Sequence, residues 1–358
     1  MNMTPKHNLP FLSQQLDPVL VQQAMTLIEP ARRVALLAHE HPDGDCIGSA
    51  LGLSHILRQL GKFCVPACAD PAPRTFSFLP GVEMLQQTLG EVGHEDFDLV
   101  IALDAGELER FGALYERHRA FLDRAVILNI DHHISSQGCG QVNIIDPLSA
   151  ATAELLVLFQ QQAGLPLNTP AALCLLTGLI TDTASFQFTS TTPRTMEVGA
   201  VLLQAGAVPE TIVKPIYRSR PLVLVRFQAA VIANARTACE GRLIWSYATD
   251  ETLTATGATP EMDDNFSGML RDIEGVQIAA FFKSYGEPNL TRLSLRSAAP
   301  YNAAAICMHF GGGGHERAAG ATLHMPLVEA IPMVIAELER EIDGWDLQYQ
   351  QTNRHDLA

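Results

Sequence analysis

VALLAHEHPDGDCIGS, residues Val34 to Ser49, is the stretch from which the rest of the chain is read. Its apolar run, Val34 to Ala38, has the length of a buried strand. His39-Glu40-His41-Pro42-Asp43-Gly44-Asp45 follows, and Pro42 and Gly44 impose an irregular turn. The segment from Cys46 to Leu60 then predicts a helix, ended by Gly61. His39, Asp43 and Asp45 therefore lie on the loop outside the carboxyl end of a strand, where open α/β sheets bind their ligands. Three potential metal ligands fall within seven residues.

On either side of this stretch the chain repeats its pattern. Asp17 caps an amphipathic helix through about Ile28, and Phe63 to Ala69 predicts the strand that completes a βαβ unit. Leu99 to Leu103 is another buried strand, ending in Asp104-Ala105-Gly106 and followed by a helix from about Glu107 to Phe121. Ala125 to Ile130 is a further strand, ending in Asp131-His132-His133. Such alternation predicts an α/β fold with a mostly parallel sheet and helices on both faces. After Asp146-Pro147 helices dominate: Ser149 to Ala163, Pro170 to about Ile180 running into Thr181-Asp182-Thr183, and two or three more between Pro193 and Ala235. Beyond Gly241 the chain turns β-rich, with strands at Leu243 to Ala248, Val276 to Lys283 and Leu290 to Leu295. A short helix near Tyr301 to His309 leads to Gly311-Gly312-Gly313-Gly314-His315, and a last helix spans about Leu327 to Ile342.

Composition narrows the function classes. With 358 residues the chain is long for one core, and 47% hydrophobic with 18% charged residues describes an ordinary globular protein. A net charge of −15 argues against a protein that tracks long nucleic acid by neutralising phosphates. A small anionic substrate stays open if bound cations or a local basic cluster supply the positive field. The seven cysteines are odd in number and contain no C-x-x-C pair, so they read as reduced thiols of a cytosolic protein. The N-terminal residues lack the apolar core of a signal peptide, and no run approaches the ~18 apolar residues of a membrane span. A cytoplasmic location without membrane association is the expectation.

The chemistry lies in what the strand ends share. His39, Asp43 and Asp45, then Asp104, then Asp131, His132 and His133 stand at the carboxyl ends of three predicted strands, on one edge of a parallel sheet. One aspartate after a strand is commonly a cap or turn residue, but acidic and imidazole groups at three such ends are not readily assigned to capping. Asp43, Asp45, Asp104 and Asp182 gathered in one crevice would repel each other and lose hydration. Such a cluster persists only with cations or with bound protons. Two divalent ions balance four carboxylates, and oxygen and nitrogen ligands without thiolate suit manganese or magnesium better than structural zinc. Two ions about 3.5–4 Å apart form a clamp for phosphate-ester hydrolysis.

The order His39-x-x-x-Asp43-x-Asp45, Asp104, Asp131-His132-His133 and Asp182 resembles the DHH phosphoesterase superfamily. The glycine run at 311–315 resembles the signature of its accessory DHHA1 domain, and together they resemble the oligoribonuclease/PAP-phosphatase (nanoRNase) branch. The resemblance implies a catalytic DHH domain over 17–220 after an N-terminal arm at 1–16. A connecting helix at 221–240 and a smaller α/β DHHA1 domain with a mixed sheet at 241–346 would follow, then a polar tail at 347–358. The active site would lie in the cleft between the domains. His39, Asp43 and Asp104 would hold one ion, and Asp45, Asp104, His132 and Asp182 the other. Asp131 would orient His132, and His133 would contact the scissile phosphate and protonate the leaving group. A water between the ions would be the nucleophile. Gly312, Gly313, Gly314 and His315 would hold the substrate, with Arg296, whose planar fork suits phosphate oxygens, gripping a terminal phosphate.

The activity this implies is manganese-dependent hydrolysis of very short oligoribonucleotides or dinucleotides to mononucleotides. Magnesium and cobalt are alternative ions, and removal of the 3′-phosphate of adenosine 3′,5′-bisphosphate (PAP), a nucleotide bisphosphate, is a related activity. Competing readings are a cyclic-dinucleotide or linear pApA phosphodiesterase, a RecJ-like single-strand exonuclease, and a non-catalytic nucleotide sensor. No long double-stranded nucleic acid is expected as a partner, and the resemblance admits a homodimer.

Overall fold

The computed structural model describes residues 12, 14–262 and 265–355. The chain divides between Ser219 and Arg220 into two compact units. Most of the expected N-terminal arm lies outside the described residues, as does the end of the chain.

The first unit is built in the order α1 (Pro18–Ile28), β1 (Arg33–Leu37), α2 (Gly44–Gln59), β2 (Phe63–Ala67), β3 (Leu99–Leu103), α3 (Gly112–Leu122), β4 (Ile127–Asp131), β5 (Val142–Ile145), α4 (Thr152–Gln162), α5 (Thr169–Asp182), α6 (Pro193–Gln204) and α7 (Pro209–Tyr217). The five strands form one parallel sheet in the order β2-β1-β3-β4-β5. Alternate residues along β1 and β3 explain why both strands read as continuous apolar runs. Val34, Leu36, Ile101 and Leu103 pack under α1, α2, α4 and α5. Ala35, Leu37, Val100 and Ala102 pack on the other face with Leu114 and Leu122 of α3. Burial on both faces is the condition of an all-parallel sheet.

α2 and α5 cross closely because glycine lines the contact. A Cβ on Gly48 would fall on the Cys174 carbonyl, one on Gly44 on the Thr181 hydroxyl, and one on Gly178 on the Asp45 carboxylate. This approach brings Asp182, the last residue of α5, to the first turn of α2. The single helix expected over 107–121 is broken into a 3-10 turn, Leu108–Phe111, and α3. The break is at Gly112, whose φ of +50° places its backbone against Glu40. β5 was not anticipated. It is four residues long with alternating burial, a weak signal in the sequence.

The second unit contains α8 (Leu222–Ala233), β6 (Arg236–Ala238), β7 (Leu243–Thr249), α9 (Asp250–Thr256), α10 (Phe266–Arg271), β8 (Ile278–Ser284), β9 (Thr291–Ser297), α11 (Ala303–Met308), β10 (Gly313–His315), β11 (Ala318–Leu323) and α12 (Leu327–His355). Its mixed sheet runs β10-β11-β9-β8-β7-β6, with only β7 and β8 parallel. Leu293 and Leu295 face α11 and α12, where Ala330, Val334 and Leu338 are buried. On the opposite face Phe266 of α10 packs between Phe281 and Phe227 of α8, its ring centroid 5.1 and 4.9 Å from theirs. The helix read as a connection is thus part of this unit's core. α12 runs on to His355, through much of the segment read as a tail. Among the described residues no single helix is long and apolar enough to cross a membrane.

Candidate metal centre

The strand order reverses between β1 and β3, so the loops leaving these two strands part company and open a crevice. Asp43 caps α2 from this crevice. Its Oδ1 accepts the backbone N–H groups of Asp45 and Cys46, both at 3.0 Å, while its Oδ2 lies 3.8 Å from His39 Nε2. His39 Nδ1 donates to the Glu40 carbonyl at 2.8 Å, which leaves Nε2 facing the carboxylates. That Nε2 is 3.5 Å from Asp104 Oδ2.

Asp104 follows β3 directly with a φ of +61°, a left-handed conformation costly for a non-glycine residue and held here by its surroundings. Its Oδ1 is 3.5 Å from His132 Nε2 and accepts the Thr152 hydroxyl at 2.9 Å. His132 in turn donates from Nδ1 to the Ser149 carbonyl at 3.2 Å and faces Asp182 Oδ2 at 3.3 Å. One carboxylate thus stands between two imidazoles, each with its other nitrogen tied to a backbone carbonyl. Asn129, fully buried, donates to the Ala102 and Ala105 carbonyls at 3.1 and 2.8 Å and braces the loop that carries Asp104.

Asp45 is fully buried at the start of α2. Its oxygens accept the Thr152 and Ala153 N–H groups at 2.6 and 3.0 Å, and Oδ1 lies 3.3 Å from Ser49 Oγ. The anion therefore caps α4 from a helix 107 residues away in sequence, where Ala151 offers no capping side chain.

The six residues expected as ligands fall into three groups, two of which share His132. Donor atoms of Asp45, His132 and Asp182 lie within 4.8 Å of one another, and so do those of Asp104, His132 and His133. His39, Asp43 and Cys46 form a third such group, in which the thiol was not anticipated. The donor set fits hard divalent cations, being mainly carboxylate and imidazole. Its electrostatics also asks for them. Burial, and then the charges of Asp104, Asp182 and Asp43, push the Asp45 carboxyl well above the usual carboxylate range. Burial raises Asp182 to about 6, with Asp104 and Asp43 adding to the shift and His132 opposing it. Asp104 goes the other way. Burial opposes its ionisation, but His39, His132 and His133 together hold its pKa below the ordinary value.

Asp131 requires a correction. It was expected to orient His132, but its Oδ1 accepts the ring Nδ1–H of His133 at 2.8 Å, because the turn after β4 folds His133 back over Asp131. That bond, opposed by burial, pushes His133 up to about 9.

The remaining candidates belong to the second unit. Arg296 on β9, Ala318 on β11 and His315 on β10 form one cross-strand row. Ser294, Gly320 and Gly313 form the next. Arg296 Nη2 is 3.3 Å from Asn265 Oδ1. Gly312 and Gly314 are required for close approach, since a Cβ on either would meet a carbonyl of β11, at Gly320 or Ala318. The amides of Gly311 and Gly312 are not directed at a ligand. They bond the Met308 and Cys307 carbonyls at 3.1 and 2.9 Å and close the end of α11. Thr152, Ser149 and Asn129 escaped the sequence reading. The first two carried only a helix-start signal, and Asn129 none.

The description "DHH family, N-terminal domain" matches residues 33–179, and "DHHA1 domain" matches residues 245–344. A bifunctional oligoribonuclease and PAP phosphatase NrnA from Thermus thermophilus is 31% identical over 325 residues, 90% of this chain and 94% of that protein. The protein of the same name from Bacillus subtilis is 27% identical over 86% of this chain and 93% of its own length. An exopolyphosphatase-related protein from Bacteroides fragilis has the same fold, with a TM-score of 0.80 at 22% identity over 92% of this chain and 98% of its own. The chain belongs to the DHH phosphoesterases, in the branch that carries a C-terminal DHHA1 domain.

Proposed function

We propose that the protein hydrolyses very short oligoribonucleotides and dinucleotides to mononucleotides with two divalent cations, manganese foremost, and also removes the 3′-phosphate of PAP. The observation that carries this reading is the Asp104 carboxylate set 3.5 Å from both His39 and His132. His39, Asp43 and Asp104 hold one ion, and Asp45, Asp104, His132 and Asp182 hold the other. Bound there, the cations neutralise phosphate charge and acidify an attacking water. His133, kept protonated by Asp131, supplies the leaving-group proton. Arg296, His315 and the hairpin edge at Gly313 and Gly314 take up a remote phosphate of the substrate, with Gly312 shaping the turn that leads to them. The net charge of −15 supports a short substrate, because long strands demand an extended positive track. Relatives named as oligoribonuclease and PAP phosphatase, aligned over nearly the whole chain, support the same class.

A substrate panel tests the proposal. Dinucleotide, 5-mer, 24-mer, PAP, cyclic dinucleotide and pyrophosphate are each incubated with manganese, magnesium or cobalt. Fastest release of mononucleotide from the dinucleotide with manganese, and slower turnover of PAP, are expected. Equal rates on dinucleotide and 24-mer would overturn the size class. Dinucleotide binding without turnover would make the protein a sensor.

A further inference from the structure

We propose that Arg194 is the positioning residue of the second cation site, stapling the chain corner between β5 and α4 against which three of the ligands are set. The inference rests on the two-cation reading above. The corner runs from Asp146 to Glu154, and its middle touches the site four times. The Ser149 carbonyl accepts from His132, the Thr152 and Ala153 amides donate to Asp45, and the Thr152 hydroxyl donates to Asp104. No side chain of α4 itself holds the corner at its N-cap.

Arg194 does. It sits in the first turn of α6, with its side chain 9% exposed. Its Nε donates to Glu154 Oε1 at 2.6 Å, and its Nη2 donates to Asp146 Oδ2 at 2.9 Å and to Ser149 Oγ at 2.8 Å. One guanidinium thereby ties the first and last residues of the corner and the residue whose carbonyl orients His132. Glu154 is fully buried and completes the joint by accepting the Thr195 hydroxyl at 2.8 Å. Asp146 also donates its N–H to the Asp131 carbonyl at 3.2 Å, anchoring the corner to the end of β4. The planar fork reaches both carboxylates at once, which a lysine ammonium cannot do. The joint touches His132, Asp45 and Asp104 only through this corner, and it makes no bond to His39 or Asp43. Its loss therefore falls mainly on the ion held by His132, Asp45 and Asp182, because the other site shares only Asp104 with the corner and keeps His39 and Asp43 untouched.

The test compares the wild-type protein with Arg194→Lys and with the double variant Arg194→Met/Glu154→Gln, which removes the buried pair and leaves only the partly exposed Asp146 without its partner. Manganese binding is titrated by calorimetry, Tm is recorded, and kcat and KM for the dinucleotide are measured across manganese concentrations. Two sites are expected in the wild type. In the folded variants one site should keep its affinity within about twofold, and the other should weaken about 10–100-fold, as outer-shell substitutions do. kcat should recover as manganese is raised, with KM unchanged. Unchanged affinity at both sites in either folded variant overturns the inference, as does parallel weakening of both sites with falling Tm. A wild-type protein that binds one ion overturns the two-cation reading first, and this inference with it.

Discussion

Asp131 accepts two hydrogen bonds from His133, one from the backbone N–H at 3.2 Å and one from the ring Nδ1 at 2.8 Å. The ring is thus fixed by one nitrogen, and with the side chain 45% exposed the other is free to meet a substrate. Asp131→Asn is expected to lower kcat about 10–100-fold while both cations stay bound. Losing the carboxylate also lowers the His133 pKa from about 9, so the alkaline limit of activity should move to lower pH. A variant with wild-type kcat and pH profile would remove His133 as the acid.

Among the described residues, Asp104 is the one carboxylate within reach of both His39 and His132. Asp104→Ala should reduce hydrolysis to background and weaken both cation sites together. Metal analysis alongside kinetics decides the matter: near-normal activity with two ions bound would exclude a shared ligand.

Asp182 gives a pH dependence of definite sign. Its pKa rises from the ordinary 3.8 to about 6 on folding, chiefly through burial, so the folded cation-free domain binds this proton more tightly than the unfolded chain. Stability without cations should therefore fall as pH rises from about 4 through about 6 and remain lower above. Asp182→Asn in a chelator at pH 7 should melt higher than wild type, by on the order of 3 °C. The gap should close near pH 4 and reverse when manganese is added. A chelated variant that melts lower at pH 7 would contradict this.

Gly48 meets the Cys174 carbonyl, a backbone atom that cannot turn aside. Gly48→Ala should force α2 and α5 apart at a cost of about 1–3 kcal/mol. It should also weaken cation binding, since Asp182 depends on that crossing. Chemical denaturation and manganese titration of the same sample check both effects, and unchanged values would show that the crossing has slack.

Arg296→Ala should raise KM for the dinucleotide and leave cation binding intact, because Arg296 lies in the second unit. An unchanged KM would take it out of the substrate site.

The clustering of the expected ligands was legible because most of them stand at strand ends, where buried apolar runs such as Leu99 to Leu103 announce both the strand and its stopping point. What stayed hidden depends on long-range hydrogen bonding. Nothing near Ala151 shows that Asp45 caps its helix, and nothing local shows that Arg194 faces Glu154 rather than solvent. The pairing of Asp131 with His133 instead of His132 is decided by a backbone turn that two adjacent histidines do not encode. β11 was missed because Ala318–Leu323 is rich in alanine and glycine, poor strand formers whose place is set by pairing with β9.

Asp45 closes the start of α4 and, in the proposed two-cation reading, also faces the cations. A chain deprived of ions can keep Asp45 buried beside Asp104 and Asp182 only by taking up protons, a hold that weakens as pH rises. Such a chain would be more than idle. It would open more often, expose its interior to proteases, and make the lifetime of the enzyme in a cell a readout of the supply of divalent metal.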